Sequence, residues 1–206
     1  MTGRVCVLGV FAVDAVFRGP VLPRPGETVL GTAFAMGPGG KGSNQAVAAV
    51  RAGAPTAFIS RVGRDGFAEI GRALWRSEGI EDHVAACGLP TGSAGIFVDA
   101  STGENAIMVC AGAAGSLSAD DADRAAPLIG QSSVSVAQLE QPLAVARRGL
   151  EIARAHGVVT VLNPAPAMPL DDALIATCDW IIPNLGEAAA LVGHPVAGPD
   201  PARRAA

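Results

Sequence analysis

The sequence has no excess of positive charge: 15 Lys and Arg stand against 19 Asp and Glu, a net charge of −4 at neutral pH. Without a basic stripe to follow a phosphate backbone, no nucleic-acid partner is expected. Cysteine is scarce, and Cys6, Cys87, Cys110 and Cys178 are scattered with neither a C-x-x-C pair nor metal-ligand spacing; they read as reduced, structural thiols of a cytoplasmic protein. No 18 consecutive residues are apolar, so no membrane span is expected. The apolar run after Arg4 is broken by Asp14 and leads to no clean small-residue cleavage site, unlike a secretion signal. Histidine occurs only as His83, His156 and His194, without an H-E-x-x-H pair. There is no G-x-S-x-G elbow, so an esterase-type nucleophile is not indicated. No internal repeat is found.

Half of the 206 residues are apolar and 17% are charged, with 26 Gly and 15 Pro, a composition that suits one globular α/β enzyme core with or without a small appendage. Arg4 to Val10 is a continuous apolar, β-branched run, as expected of a strand buried on both faces of a parallel sheet. Further core strands are expected over 56–60, 133–137, 158–162 and 180–182. Helices are expected over about 43–52, from the Asp65 cap to Gly79, from Ser118 to about Ile129, from Pro142 to His156, and after Asn184 to Val192. This alternation predicts right-handed βαβ units: a mostly parallel, doubly wound sheet with helices on both faces. Residues 16–36 are rich in Pro and Gly, and 94–110 read as a hairpin about Ser101–Glu104. Together they predict a small β-sheet lid. The α/β unit is expected over 1–197, with 198–206 a tail.

The most constraining stretch is Gly37-Pro38-Gly39-Gly40-Lys41-Gly42-Ser43-Asn44-Gln45, a glycine-rich turn running into a small-residue helix. It is not a Walker loop, because Lys41 is followed by Gly42 and the leading Gly is missing. The dinucleotide pattern G-x-G-x-x-G is formally met by Gly37, Gly39 and Gly42, with Arg61 available to a 2′-phosphate, so an NADP-dependent oxidoreductase stays open as a rival. Asp14, the 39–44 loop and Glu140 follow strands of the sheet, where they can converge on a polyol that needs carboxylate acceptors and Asn or Lys donors. Singly, each has a plainer reading: Asp14 as a turn former, Lys41 as a solvated cation, Glu140 as a helix-start acid. Asn184 and Glu187 form an N-x-x-E step that suits hydrated magnesium and phosphate, or simply an N-cap with a first-turn acid.

Gly39-Gly40-Lys41-Gly42-Ser43-Asn44-Gln45-Ala46 resembles the N-terminal signature of the ribokinase-like (PfkB) family of carbohydrate kinases. So do Pro25-Gly26-Glu27-Thr28, Gly63-Arg64-Asp65-Gly66-Phe67, Gln138-Leu139-Glu140, Asn163-Pro164-Ala165-Pro166-Ala167 and Pro183-Asn184-Leu185-Gly186-Glu187, all in the family's order. The resemblance implies transfer of the ATP γ-phosphate to a sugar hydroxyl, with a lid that also makes a homodimer. By position it assigns Asp14, Gly40, Lys41, Asn44 and Glu140 to the sugar, Asn184 to ATP and Glu187 to Mg2+ through water. A monovalent cation is implied for a full-length form.

Two departures stand out. Ala12 occupies a position where members usually carry Asn, which removes one sugar contact. The Gly-Ala-Gly-Asp motif that supplies the general base is expected beyond residue 206. Its nearest echo is Ala197-Gly198-Pro199-Asp200, whose Pro199 has no N–H to donate to an oxyanion. The expectation is an incomplete, poorly active sugar kinase, with a non-catalytic sugar-binding or dimerisation remnant as the alternative.

Overall fold

The computed structural model describes residues 3–196. The expected tail and the Ala197–Asp200 echo lie outside the described residues. Strand β1 (Val5–Leu8) leads into β2 (Ala12–Gly19) and β3 (Ala33–Gly39), then helix α1 (Lys41–Arg51), β4 (Thr56–Val62), α2 (Gly66–Glu78) and β5 (Glu81–Ala86). The hairpin β6 (Gly92–Asp99) and β7 (Asn105–Cys110) follows, with a 3-10 turn at Gly112–Ser116. The remainder comprises α3 (Ala119–Arg124), α4 (Ala126–Gly130), β8 (Val134–Ala137), α5 (Leu143–Ala155), β9 (Val159–Leu162), α6 (Asp172–Ile175), β10 (Trp180–Ile181) and α7 (Leu185–Val192).

The body is the six-stranded sheet β10-β9-β8-β1-β4-β5, parallel at every pairing. Its residues alternate between two cores. Cys6, Leu8 and Ile59 face Ile129, Val145 and Ile152 of α4 and α5, while Val7, Phe58 and Val62 face Ala46, Ala68 and Trp75 of α1 and α2. Burying a ring such as Phe11 or Phe58 contributes about 1.5–3 kcal/mol, and Trp75 clamps both: its ring is edge-on to Phe11 at 5.1 Å and 5.2 Å from Phe58. The Trp75 indole N–H donates to Ser43 Oγ at 2.9 Å, which fixes the rotation of α1 on the sheet. The doubly wound expectation therefore holds.

A second, four-stranded sheet, β3-β2-β6-β7, forms the lid. It is larger than the sequence suggested: it begins at Ala12, so it takes in Asp14, and it ends at Gly39, so the first half of the glycine stretch is strand rather than loop. Asp65 caps α2 by accepting from Ala68 N and also accepts from Thr91 N and Thr91 Oγ1, which pins the point where β6 leaves the body. Three further differences have local causes. Strand β5 is polar and mostly exposed along a sheet edge, so it shows no apolar run. Pro127 in the first turn of α4 has no N–H, and the expected 118–129 helix divides at Ala125. Helix α1 begins at Lys41, earlier than the apolar run suggests.

Candidate functional site

Asp14 and Glu140 meet where the lid crosses the body. With Val10, Ala12, Gly40, Ala94, Val109 and Ala111 they line a hollow of about 70 Å³. Register explains the lid's share of the wall: Asp14 pairs with Ala94, and Ala94 with Val109, so the three side chains stand on one face in adjacent strands. Glu140 comes from the turn after β8.

The glycines make this approach possible. At Gly40, φ is 84°, and a Cβ there would lie 2.6 Å from the Val10 carbonyl oxygen. A Cβ on Gly39 would fall 2.3 Å from the Asp14 carboxylate, so Gly39 is the space in which that carboxylate sits. Gly40, the N-cap of α1, has no side chain to satisfy the helix start. Glu140 does so from across the sheet, accepting from Lys41 N at 2.8 Å. Its carboxylate thus stands where an external anion would bind at this helix end.

Burial pushes the Asp14 carboxyl above its ordinary range. Glu140 is also raised: burial drives it up, the Lys41 N–H and the Lys41 charge pull against that, and the Asp14 charge adds to the rise. Two desolvated acids, Glu140 held by the Lys41 backbone N–H, form an accepting surface whose Asp14 shares one lid face with the apolar Ala12, Ala94 and Val109. Such a surface can take sugar hydroxyls at the acids and a C–H face on the apolar side chains beside Asp14.

The other expected residues lie elsewhere. Asn44 is exposed, three positions along α1 from Lys41, and is not part of the wall. Asn184 and Glu187 form a reciprocal capping box at the start of α7: Asn184 Oδ1 accepts from Glu187 N at 2.8 Å, and Glu187 accepts from both Asn184 N and Asn184 Nδ2. Both Glu187 oxygens are engaged, and no cluster of three or more His, Cys, Asp or Glu suited to a metal exists among the described residues. The residues present therefore do not form a metal cage. The dinucleotide reading loses its geometry, because Gly37 and Gly39 lie in β3 of the lid, antiparallel to β2, and Arg61 is held by Asp121 and the Ser116 carbonyl. A larger hollow of about 280 Å³ under the 20–31 loop is lined mainly by apolar groups such as Phe17, Val21 and Phe97, without a converging acid pair.

Sequence reasoning missed the apolar wall, which is visible only once the lid strands are paired. It also missed an amide chain below the site. Gln138 Nε2 donates to Gln45 Oε1, Gln45 Nε2 to Asn163 Oδ1, and Asn163 Nδ2 to the Ile182 carbonyl. All three side chains stood inside recognised motifs, without a role.

A model of the pfkB family of carbohydrate kinases matches residues 2–206. The chain is 40% identical over 208 residues to the ribokinase of Haemophilus influenzae, covering all of this chain and 68% of that protein. It is 37% identical over 206 residues to the deoxyribokinase of Salmonella typhi, covering 98% and 67% respectively. The solved structure of Giardia lamblia ribokinase superimposes with a TM-score of 0.85 at 29% identity, over 100% of this chain and 64% of that one. That of Arabidopsis thaliana ribokinase complexed with ribose and ATP gives 0.84 at 26%, over 100% and 67%. The chain spans about two thirds of the length of these relatives.

Proposed function

The chain belongs to the pfkB family of carbohydrate kinases, and from that premise we propose that its 206 residues carry the sugar-gripping half of an ATP-dependent sugar kinase. The observation that carries this reading is the pairing of Asp14 and Glu140 at the lid–body junction, with Glu140 held by Lys41 N. In this reading Asp14 and Glu140 accept sugar hydroxyls, Lys41 and the Gly40 backbone donate to them, and Asn44, exposed three positions along α1, would meet the sugar from outside the hollow. The hollow is well below the ~300 Å³ at which ligand pockets usually start, so in this reading it grips only part of a sugar.

Asn184 would lie toward the ATP phosphates. Glu187, already engaged with Asn184, would meet magnesium only through water and only with the nucleotide bound; no step of this reading depends on the ion. When bound, Mg·ATP supplies the transferable phosphoryl group. Of the side chains lining the hollow only Asp14 and Glu140 are acids, and the reading assigns both to gripping. Sugar binding with turnover near background is therefore the expected behaviour of these 206 residues. Titrating a panel of pentoses and hexoses by calorimetry, beside an ADP-release assay, tests this. Robust ATP-dependent phosphorylation by the purified chain would refute the assignment of both acids to gripping alone, and no binding by any sugar would refute the gripping role.

The outer lid face favours a homodimer. Phe17 stacks on Phe97 with centroids 5.5 Å apart and lies 5.0 Å from Phe34, and these rings and Met108 are exposed. Four free cysteines suit a reducing compartment, the cytoplasm.

A further inference from the structure

The amide chain has a direction, and the direction is informative. The Ile182 carbonyl can only accept, so Asn163 must turn Nδ2 toward it and present Oδ1 to Gln45. Gln45 must then donate through Nε2 and offer Oε1 to Gln138, which donates in turn. Every link is dictated by the carbonyl at the far end. The consequence falls on Gln138: its side chain is 0% exposed and its Oε1 has no hydrogen-bond partner. That oxygen abuts Gly9, where a Cβ would lie 1.9 Å from it. Packing against Gly9 holds that amide in one place, and the chain of amides runs from it to the Ile182 carbonyl.

The two ends of the chain lie at functional places. Gln45 is on α1, whose first residue, Lys41, donates to Glu140, and Gln138 precedes Glu140 by two residues on the same turn. Ile182 stands two residues before Asn184, the N-cap of α7. We propose that Gln138, Gln45 and Asn163 are positioning residues that couple the Lys41–Glu140 sugar floor to the Asn184–Glu187 turn, so that a shift at one is transmitted to the other. The coupling rests on geometry within the chain; its service to catalysis rests on the sugar-site reading above.

The test uses the whole 206-residue chain and amide hydrogen exchange. Asn163→Asp places a carboxylate oxygen against the Ile182 carbonyl at neutral pH. Loss of one such hydrogen bond is expected to speed exchange at Lys41–Asn44 about five- to tenfold, far from the substitution in sequence. Below the new carboxyl's pKa its O–H donates as the amide did, so protection at 41–44 should return to wild type after correction for intrinsic rates. Acceleration confined to the neighbourhood of 163, or unchanged by pH, would overturn the coupling. If that variant does not fold, Gln45→Glu makes the reciprocal test, with faster exchange expected at Glu187 and Ala188 and the same acid rescue; no change there would also overturn it. A second arm adds D-ribose. In the unsubstituted chain the sugar should slow exchange at both Lys41 and Glu187, and in Gln45→Glu at Lys41 alone. Ribose that protects neither in the unsubstituted chain would count against the sugar reading, while the ligand-free arm still decides the relay. Protection of both in the variant would refute transmission through Gln45.

Discussion

Replacing Glu140 by Gln should weaken sugar binding and strengthen the fold at the same time. Gln keeps the shape and an oxygen that accepts from Lys41 N, now 2.8 Å from the carboxylate, so α1 remains capped. What is lost is the charge. Hydrogen bonds to a charged group contribute about 1.5–3 kcal/mol against about 0.5–1.5 for neutral ones, so one hydroxyl contact should lose about 1–1.5 kcal/mol, or about five- to twelvefold in sugar affinity. Stability should move the other way. The folded-state pKa of Glu140 is raised, mainly by burial and secondarily by Asp14. In the window between the ordinary Glu range and that raised value the folded chain binds more protons than the unfolded one, so the group's contribution to stability falls as pH rises and stays low above the window. Glu140→Gln removes that penalty at neutral pH, and its advantage should vanish below about pH 4, where the carboxyl is protonated in both states. Calorimetric titration with sugar gives the affinity. Thermal unfolding from about pH 3 to 8 gives the stability, and a gain of 1 kcal/mol would move the midpoint about 2–4 °C in a chain of this size. Unchanged affinity, or a neutral-pH destabilisation that persists in acid, would refute the account of Glu140 as a desolvated sugar acceptor.

Three other outcomes follow from the same structure. Gly40→Ala places a Cβ 2.6 Å from the Val10 carbonyl at φ 84° and should cost at least ~2 kcal/mol; a urea-melt loss below ~0.5 kcal/mol would show that the α1 start is not so constrained. Phe34→Glu on the outer lid face, where Phe34 is 59% exposed, should leave the thermal midpoint nearly unchanged and shift a dimer toward monomer in sedimentation velocity. Oligomeric state insensitive to that change would remove the lid from the interface. The buried Cys6 thiol, pushed up to about 12 by desolvation, should resist alkylation until the chain unfolds, while exposed Cys110 reacts first; peptide mass mapping after brief iodoacetamide treatment distinguishes the two.

Much of the body was legible without coordinates, because its signals are local. Asp65 and Gly79 bracket α2 as cap and left-handed terminus, and the Val5–Leu8 run marks a strand buried on both faces. Strand β5 was not legible, because a polar sheet edge carries no periodicity. Nor was the division of α3 from α4, which turns on one missing N–H at Pro127. The glycine stretch misled in part: its first half reads as a flexible loop, yet pairing with β2 makes it strand.

By itself the sequence determined the layered α/β body, the presence of a lid and the family, since each is written in nearest-neighbour patterns of apolar residues, caps and short motifs. The tertiary structure decided how the candidates are placed relative to one another. Strand register brings Ala94 and Val109 to Asp14, and the β8 turn brings Glu140 onto the start of α1. It also engaged Asn184 and Glu187 with each other and linked three scattered amides into one directed chain. Those outcomes depend on distances between residues far apart in the chain, and local patterns of apolar and capping residues do not encode them.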